Sequence, residues 1–200
     1  MRITCLDLEG VLVPEIWINV AEKTGIDELK LTTRDIPDYD ELMMKRMKII
    51  KEHQLTLKDI QEVIATLEPM EGAVNFLDWL RENSQVVILS DTFEEFAKPL
   101  MRKLKMPALF CHSLVIDSHF QIVNYKLRIP DAKKKAVKAF KELNFETIAA
   151  GDSFNDVSML KEADHGFFFC PPENISSQYP QFPVSKNYVE LQEKIANCFK

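Results

Sequence analysis

Carboxylates follow two apolar runs that lie far apart in the chain. Asp7 and Glu9 come directly after the run that begins at Arg2, and Asp152 and Asp156 follow a second run at 147–150. Because each run has the pattern of a buried parallel strand, both groups are predicted to lie at the carboxyl edge of one sheet. Carboxylates repel one another at short range, and a hard divalent cation such as Mg²⁺ prefers their oxygens. The two motifs therefore predict a divalent-cation site.

The elements around these motifs alternate in type. Apolar runs at 85–89, 108–111 and 165–170 predict further strands, and runs with helical spacing separate them. A hairpin is predicted within 114–125, around Asp117-Ser118-His119. Strands that alternate with helices are typical of a doubly wound, Rossmann-like parallel sheet of the α/β class.

One stretch after the first strand has helical periodicity and no evident strand. It spans residues 14–71, and Thr56 and Asp59 are spaced as a capping box at the start of its last helix. We expect this stretch to form a small helical cap over the carboxyl edge of the sheet. The predicted domains are a catalytic core of residues 1–13 and 72–200 and a cap of residues 14–71.

Composition and charge limit the partners. The chain has 200 residues, 46% of them hydrophobic, and a net charge of −6, which argues against nucleic acid or an anionic membrane as the main partner. The four cysteines include no C-x-x-C pair, so no zinc framework is indicated. No apolar run approaches the ~20 residues of a membrane span, and no signal-peptide pattern opens the sequence, so we expect a cytoplasmic protein.

Four motifs together resemble the haloacid dehalogenase superfamily. They occur in that superfamily's order, and the resemblance covers residues 2–169. Each motif alone is weak evidence, whereas four in order at the predicted element ends are strong evidence. The motifs are Asp7-x-Glu9-x-Val11, the strand end at Ser90, the lysine of Asp131-Ala132-Lys133, and Gly151-Asp152-x-x-Asn155-Asp156.

Within this superfamily the chain looks similar to the phosphoserine phosphatases, and among them to the ThrH-type branch of phosphoserine:homoserine phosphotransferases. Residues 7–15, 90–93 and 151–156 carry that narrower resemblance. It implies the haloacid dehalogenase fold with a helical cap after the first strand.

The resemblance implies that Asp7 is a nucleophile that forms an aspartyl phosphate. Asp7, Asp152 and the backbone carbonyl of Glu9 would hold Mg²⁺, which masks the charge of a carboxylate that must attack an anionic ester. Lys133 would neutralise the phosphoryl group. From the residue types alone, Lys134 and Lys135 could serve as well as Lys133.

Glu9 is the implied general acid for the leaving serine oxygen and then the base toward the acceptor. This role calls for a pKa above that of free glutamate. The superfamily commonly has aspartate at this position, so the longer Glu9 carboxyl must fold back or stand farther from the metal. Gly10 is expected to give the backbone the freedom that this requires.

The remaining implied residues would bind substrate. Glu15 would bind the ammonium group of phosphoserine, and Arg46 would bind its carboxylate. Arg46 could instead be a surface charge or form an ion pair with an acid of the cap. The groups implied to contact the phosphoryl group are Ser90, Asp91, Thr92, Lys133 and Asn155.

Several of these positions also have local interpretations. Thr92 with Glu95 is spaced as a capping box for the helix that follows, as is Ser153 with Asp156. Asp91 stands where many phosphoserine phosphatases have glycine. Because a carboxylate repels phosphate, we expect the Asp91 side chain to turn away and only its backbone N–H to contact substrate.

The expected activity is Mg²⁺-dependent hydrolysis of O-phosphoserine to serine and phosphate, with homoserine as an alternative phosphoryl acceptor. Two other interpretations stay open: a phosphatase of another small phosphate monoester, or an inactive family member that acts as a binding protein. The four histidines show no metal-binding spacing and are expected to be ordinary surface or core residues. The predicted hairpin and the closing helix at 188–199 are the elements that could support a homodimer.

Overall fold

The architecture is a seven-stranded sheet with helices on both faces. The computed structural model describes residues 1–32, 35–36 and 38–199. The strand order is β4-β3-β2-β1-β5-β6-β7, and every neighbouring pair is parallel except β3 with β4. The doubly wound α/β prediction is confirmed. The strands are β1 (Arg2–Leu6), β2 (Gln85–Phe93), β3 (Ala108–Ile116), β4 (Ile122–Lys126), β5 (Glu146–Gly151), β6 (His165–Phe169) and β7 (Val184–Ser185).

The helices connect these strands and also fill the stretch between β1 and β2. Short 3₁₀ turns lie at Asp27–Lys30 and Phe154–Asp156. The α-helices of the described residues are α1 (Ile16–Thr24), α2 (Tyr39–Glu52), α3 (Leu57–Ala65), α4 (Ala73–Asn83), α5 (Glu94–Lys103), α6 (Ala132–Glu142), α7 (Val157–Glu162), α8 (Glu173–Ser176) and α9 (Tyr188–Asn197). None of these helices is both long and apolar enough to cross a membrane.

The central strand explains why both faces of the sheet are covered. Successive side chains of a strand point to opposite faces. Ile3 and Cys5 pack into a core cluster with α6 and α7, whereas Leu6 packs into the larger cluster with α4, α5 and α9. A strand that is buried on both faces has no need for polar alternation, and Thr4 is the one polar residue among the buried positions of β1.

Helices α1, α2 and α3 form what we call the helical segment, and they share the larger core cluster with the sheet. The predicted capping box at the start of α3 is present, with Thr56 and Asp59 each accepting a hydrogen bond from the other's backbone N–H. The hydroxyl of Tyr39, at the start of α2, donates to the backbone carbonyl of Asp91 at 3.0 Å. This contact joins the helical segment to the end of β2.

Two local predictions near β2 are wrong. The strand does not end at Leu89 but continues to Phe93, with a shift of register against β3 between these two residues. Thr92 is consequently part of the strand, and the N-cap of α5 is Phe93, which makes no side-chain cap. Glu95 instead accepts a hydrogen bond from the backbone N–H of Leu114 at 3.0 Å. Long-range pairing with β3 outweighs the local capping preference.

Candidate active site

A cavity of about 740 Å³ opens at the carboxyl edge of the sheet, beneath the helical segment. The loop after β1, the irregular end of β2, the start of α6 and the loop after β5 all reach it. Every residue predicted to belong to the site lies in its wall: Asp7, Glu9, Glu15, Arg46, Ser90, Asp91, Thr92, Lys133, Asp152 and Asn155.

Lys133 is the cation at the floor of this cavity. Its side chain is 3% exposed, and Nζ lies 2.8 Å from Oδ1 of Asp7 and 2.7 Å from Oδ1 of Asp156. These acids raise the pKa of Lys133 well above its ordinary value, although burial opposes that shift. Lys134 and Lys135 are exposed on the same helix. All three lysines lie in the first turn of α6, and Lys133 is selected because it lies on the helix face that is turned toward the cavity.

Asp7 is buried at the end of β1, where its backbone N–H donates to the carbonyl of Ala150 in β5 at 3.0 Å. Burial and the Asp156 carboxylate raise the pKa of Asp7 well above its ordinary value, and Lys133 opposes this shift only in part. The Asp7 carboxylate thus lies in a place that favours additional positive charge.

Asp7, Asp152 and Asp156 form a buried group of acids that fits a divalent cation. One carboxylate oxygen from each lies within 4.8 Å of the others. Asp156 is the least suited to be a ligand, because its Oδ2 accepts hydrogen bonds from the N–H groups of Asp152 and Ser153 and its Oδ1 accepts from Lys133. Asp7 and Asp152 therefore fit Mg²⁺ best, as hard oxygen donors.

Asp156 has a local role and a long-range one. It completes the predicted capping box with Ser153, and it also holds Lys133.

Gly10 is required here for its backbone conformation and also because it has no side chain. Its φ is +76°, a conformation that residues with a Cβ rarely adopt. A Cβ at this position would lie 2.5 Å from Oδ2 of Asp152. The absent side chain therefore lets the Asp152 carboxylate pack against the loop that carries Asp7.

Glu9 folds back toward the helical segment. Its Oε2 accepts a hydrogen bond from the backbone N–H of Ile16, in the first turn of α1, at 2.8 Å, and the Thr92 hydroxyl also contacts its carboxylate. Burial, and then the nearby Glu15 carboxylate, raise the pKa of Glu9 to about 7. A carboxyl with this pKa can both release and accept a proton near neutral pH.

The end of β2 supplies polar groups to the cavity wall. Ser90 is buried, and its hydroxyl accepts a hydrogen bond from the backbone N–H of Thr92 at 3.2 Å. The expectation for Asp91 is wrong: its carboxylate does not turn away, because Oδ2 accepts from Nδ2 of Asn155 at 2.8 Å and lies 3.4 Å from Nζ of Lys133. Lys133, and then His112 and Asn155, hold the pKa of Asp91 well below its ordinary value despite burial.

Arg46 lies on α2 and is buried, which rules out the surface-charge alternative. Its guanidinium lies over the Trp17 ring, 4.7 Å from the ring centroid, and one terminal nitrogen donates to the carbonyl of Leu31 at 2.8 Å. Within the described part of the chain, its Nε has no hydrogen-bond partner. A buried donor without a partner in a cavity wall that also holds Glu15 fits a carboxylate ligand.

Among the wall residues that were not predicted as site residues, three contact the side chain or backbone of predicted ones. Trp17 supports Arg46, and Tyr39 binds the backbone of Asp91. His112, expected to be ordinary, is 5% exposed and places Nε2 3.5 Å from Oδ1 of Asp91. The first two lie on helix faces with the ordinary spacing of core residues, and the third lies within β3, so no local signal marked them.

Comparison with known proteins shows the family to which the sequence is related. The profile of the haloacid dehalogenase-like hydrolases matches residues 1–164. The chain is 61% identical over 194 residues to phosphoserine phosphatase ThrH of Pseudomonas aeruginosa, an alignment that covers 97% of this chain and 95% of that protein. It is 58% identical over 194 residues to a phosphoserine phosphatase of Pseudomonas syringae pv. tomato, with 97% and 82% covered.

The fold is also found among solved structures. A structure described as a phospho-aspartyl intermediate analogue of phosphoserine phosphatase superposes with a TM-score of 0.77 at 21% identity, and the match covers 98% of each chain. At this identity the similarity shows the shared fold.

Proposed function

The chain belongs to the haloacid dehalogenase-like hydrolases, and from that premise we propose that it hydrolyses O-phosphoserine to serine and phosphate through an aspartyl phosphate at Asp7. One observation carries the proposal. The cavity that holds the buried Asp7–Lys133 pair also holds Arg46, whose Nε has no partner among the described residues. The phosphoryl group of a phosphorylated amino acid would lie beside Asp7 and Lys133, and its carboxylate would lie beside Arg46. The names of the two Pseudomonas relatives point to the same substrate.

In the first step, an Asp7 carboxylate oxygen attacks phosphorus and the bond from phosphorus to the serine oxygen breaks. Glu9 donates a proton to that leaving oxygen, which its pKa of about 7 permits. Lys133 and Asn155, together with Ser90, Thr92 and the Asp91 backbone N–H, would contact the phosphoryl oxygens. When bound at Asp7, Asp152 and the Glu9 carbonyl, Mg²⁺ would supply the positive charge that reduces repulsion between carboxylate and phosphoryl group.

In the second step, Glu9 takes a proton from the acceptor, whose oxygen attacks phosphorus and releases Asp7. Water gives inorganic phosphate, and the hydroxyl of homoserine would give phosphohomoserine. Glu15 and Arg46 would hold the ammonium and carboxylate of either amino acid. For the site to prefer an alcohol over water as the phosphoryl acceptor, it must make contacts with the alcohol that water cannot make. Residues 14–71 would act as the cap that closes the site over the core of residues 1–13 and 72–200.

The test is a substrate panel in the presence of Mg²⁺ or EDTA. We expect serine and phosphate from phosphoserine, only with Mg²⁺, and phosphohomoserine when homoserine is added. Arg46→Gln should lose at least about tenfold in kcat/KM for phosphoserine, since a charge-assisted pair is lost, yet keep its activity on p-nitrophenyl phosphate. Lys45→Gln, its exposed neighbour on α2, should match the wild type.

Equal losses on both substrates at an unchanged melting temperature would show that Arg46 does not recognise the amino acid. The alternative of another small phosphate monoester would then be favoured. Absence of any turnover and of a trapped phosphoenzyme in the wild type would favour the binding-protein alternative.

A further inference from the structure

The carboxylate of Asp91 lies among the groups that the proposed function assigns to phosphate. Its Oδ2 takes a hydrogen bond from Asn155 at 2.8 Å and lies 3.4 Å from Nζ of Lys133. A carboxylate and a phosphoryl group both offer anionic oxygens to N–H donors. They would therefore compete for the same two side chains.

His112 holds the opposite oxygen of this carboxylate. Its Nδ1 accepts a hydrogen bond from the backbone N–H of Arg128 at 3.1 Å, so the ring proton is on Nε2. Nε2 lies 3.5 Å from Oδ1 of Asp91, and the imidazole is buried. Asp91 thus has one partner outside the phosphate site, which it can keep when its contacts to Lys133 and Asn155 are lost.

The backbone of Asp91 is positioned as well. The Tyr39 hydroxyl donates to its carbonyl oxygen at 3.0 Å, and the Tyr39 and His112 rings meet edge to face with centroids 6.4 Å apart. Contacts from α2 and β3 therefore position both the peptide and the side chain of Asp91.

We propose that Asp91 acts as an internal anion: its carboxylate binds Lys133 and Asn155 when no phosphoryl group is bound. Phosphate must displace this carboxylate in order to bind the same two side chains. Asp91 lowers the affinity for inorganic phosphate and so promotes release of that product. His112 is the positioning residue that draws Asp91 away from Lys133. The inference rests on the proposed function only for the identity of phosphate as the ligand.

The test measures binding of inorganic phosphate by titration calorimetry with Mg²⁺ present. Asp91→Asn keeps the size of the side chain and an acceptor oxygen but removes the charge, and it should bind phosphate about tenfold more tightly than the wild type. Asp131→Asn is the matched control. Asp131 also lies in the cavity wall, but it bonds the Ser158 hydroxyl at 2.7 Å. The charge of Asp131 is farther from Lys133 than that of Asp91 and is screened by solvent, so its loss should change the affinity for phosphate less than about threefold.

A double-mutant cycle tests the role of His112. His112→Phe removes the Nε2 donor, so Asp91 should compete more strongly and phosphate should bind more weakly than to the wild type. The double variant with Asp91→Asn should bind phosphate as tightly as Asp91→Asn alone, because no competing anion remains. A purely structural effect of His112→Phe would persist in the double variant and would overturn its positioning role.

The proposal is overturned if Asp91→Asn binds phosphate no more tightly than Asp131→Asn does. Asp91→Gly provides a second variant, for which the same increase is expected. Phosphoserine turnover by the wild type is measured separately. If the wild type does not turn over phosphoserine, the proposed function is refuted but the comparison of phosphate affinities still stands. If Asp91→Asn leaves the phosphate affinity unchanged, only the role of Asp91 is refuted.

Discussion

Nζ of Lys133 lies 2.8 Å from Oδ1 of Asp7, although 126 positions separate the two residues in the chain. The end of β1 and the first turn of α6 meet at the same edge of the sheet, which brings this pair together. Both side chains are buried, so their attraction is screened far less than it would be in water. The electrostatics of the site can therefore be probed through stability as well as through activity.

Asp7→Asn should abolish phosphoserine turnover without harming the fold. Loss of the nucleophile should lower the rate of phosphate release by roughly 10³-fold or more. The melting temperature should be unchanged or higher, since Asp156 and Asp152 then face one carboxylate fewer. Phosphate release and thermal unfolding are measured on the same preparation, and mass spectrometry verifies that the Asn is intact. Wild-type turnover by the intact variant would refute Asp7 as nucleophile.

Lys133→Met should destabilise the protein strongly, because it leaves Asp7 and Asp156 buried without their cation. The expected loss in the free energy of unfolding is about 3–5 kcal/mol. Lys134→Met is the matched control on the same helix, where the side chain is exposed, and it should change stability by less than about 0.5 kcal/mol. Urea denaturation at pH 7 measures both. Equal effects would show that the buried ion pairs do not control stability.

Mg²⁺ should raise the melting temperature of the wild type, because binding to the folded state alone stabilises that state. Asp152→Asn removes a proposed ligand and should reduce this shift to a small fraction of the wild-type value. Asp131→Asn, on the rim of the same cavity, should retain the full shift. A thermal-shift titration with MgCl₂ tests this independently of turnover. Shifts of equal size in all three proteins would place the ion elsewhere.

Asp164 should contribute stability that depends on pH. Its Oδ2 accepts hydrogen bonds from the N–H and hydroxyl of Thr147 at 2.8 and 2.9 Å, and Lys141 lies 3.1 Å away. These contacts hold the pKa of Asp164 below its ordinary value, although burial opposes them. The group is therefore less protonated in the folded state than in the unfolded state. Its contribution to the free energy of unfolding is present above the pKa of the unfolded state and is lost as pH falls through the pKa of the folded state.

Asp164→Asn removes this contribution. At pH 7 the variant should lose about 1 kcal/mol, a modest value because the side chain is partly exposed and screened. The difference from the wild type should shrink progressively as pH falls below about 4. Urea denaturation across this pH range measures it. A difference that stays constant with pH would show that the charge of Asp164 is not involved.

Local patterns were sufficient for the framework of the site. Apolar runs without alternation predicted β1 and β5, and parallel strands present their carboxyl ends at one edge, so the sequence pattern predicts that Asp7 and Asp152 lie close together. The capping box of Thr56 and Asp59 was likewise predictable, because its partners are three residues apart. The Thr92 box had the same local appearance but was wrong, because β2 continues to Phe93.

The amino-acid pattern was sufficient to predict the type of sheet, the edge that bears the chemistry and the residues that could take part in it, because these follow from short-range periodicity and from side-chain chemistry. Long-range packing selects Lys133 rather than its neighbours as the partner of Asp7, and it places Asp91 at the cavity between Asn155 and His112. Such contacts join β2, β3, α6 and the loop after β5. Their geometry depends on how these distant elements pack, and no local pattern encodes it.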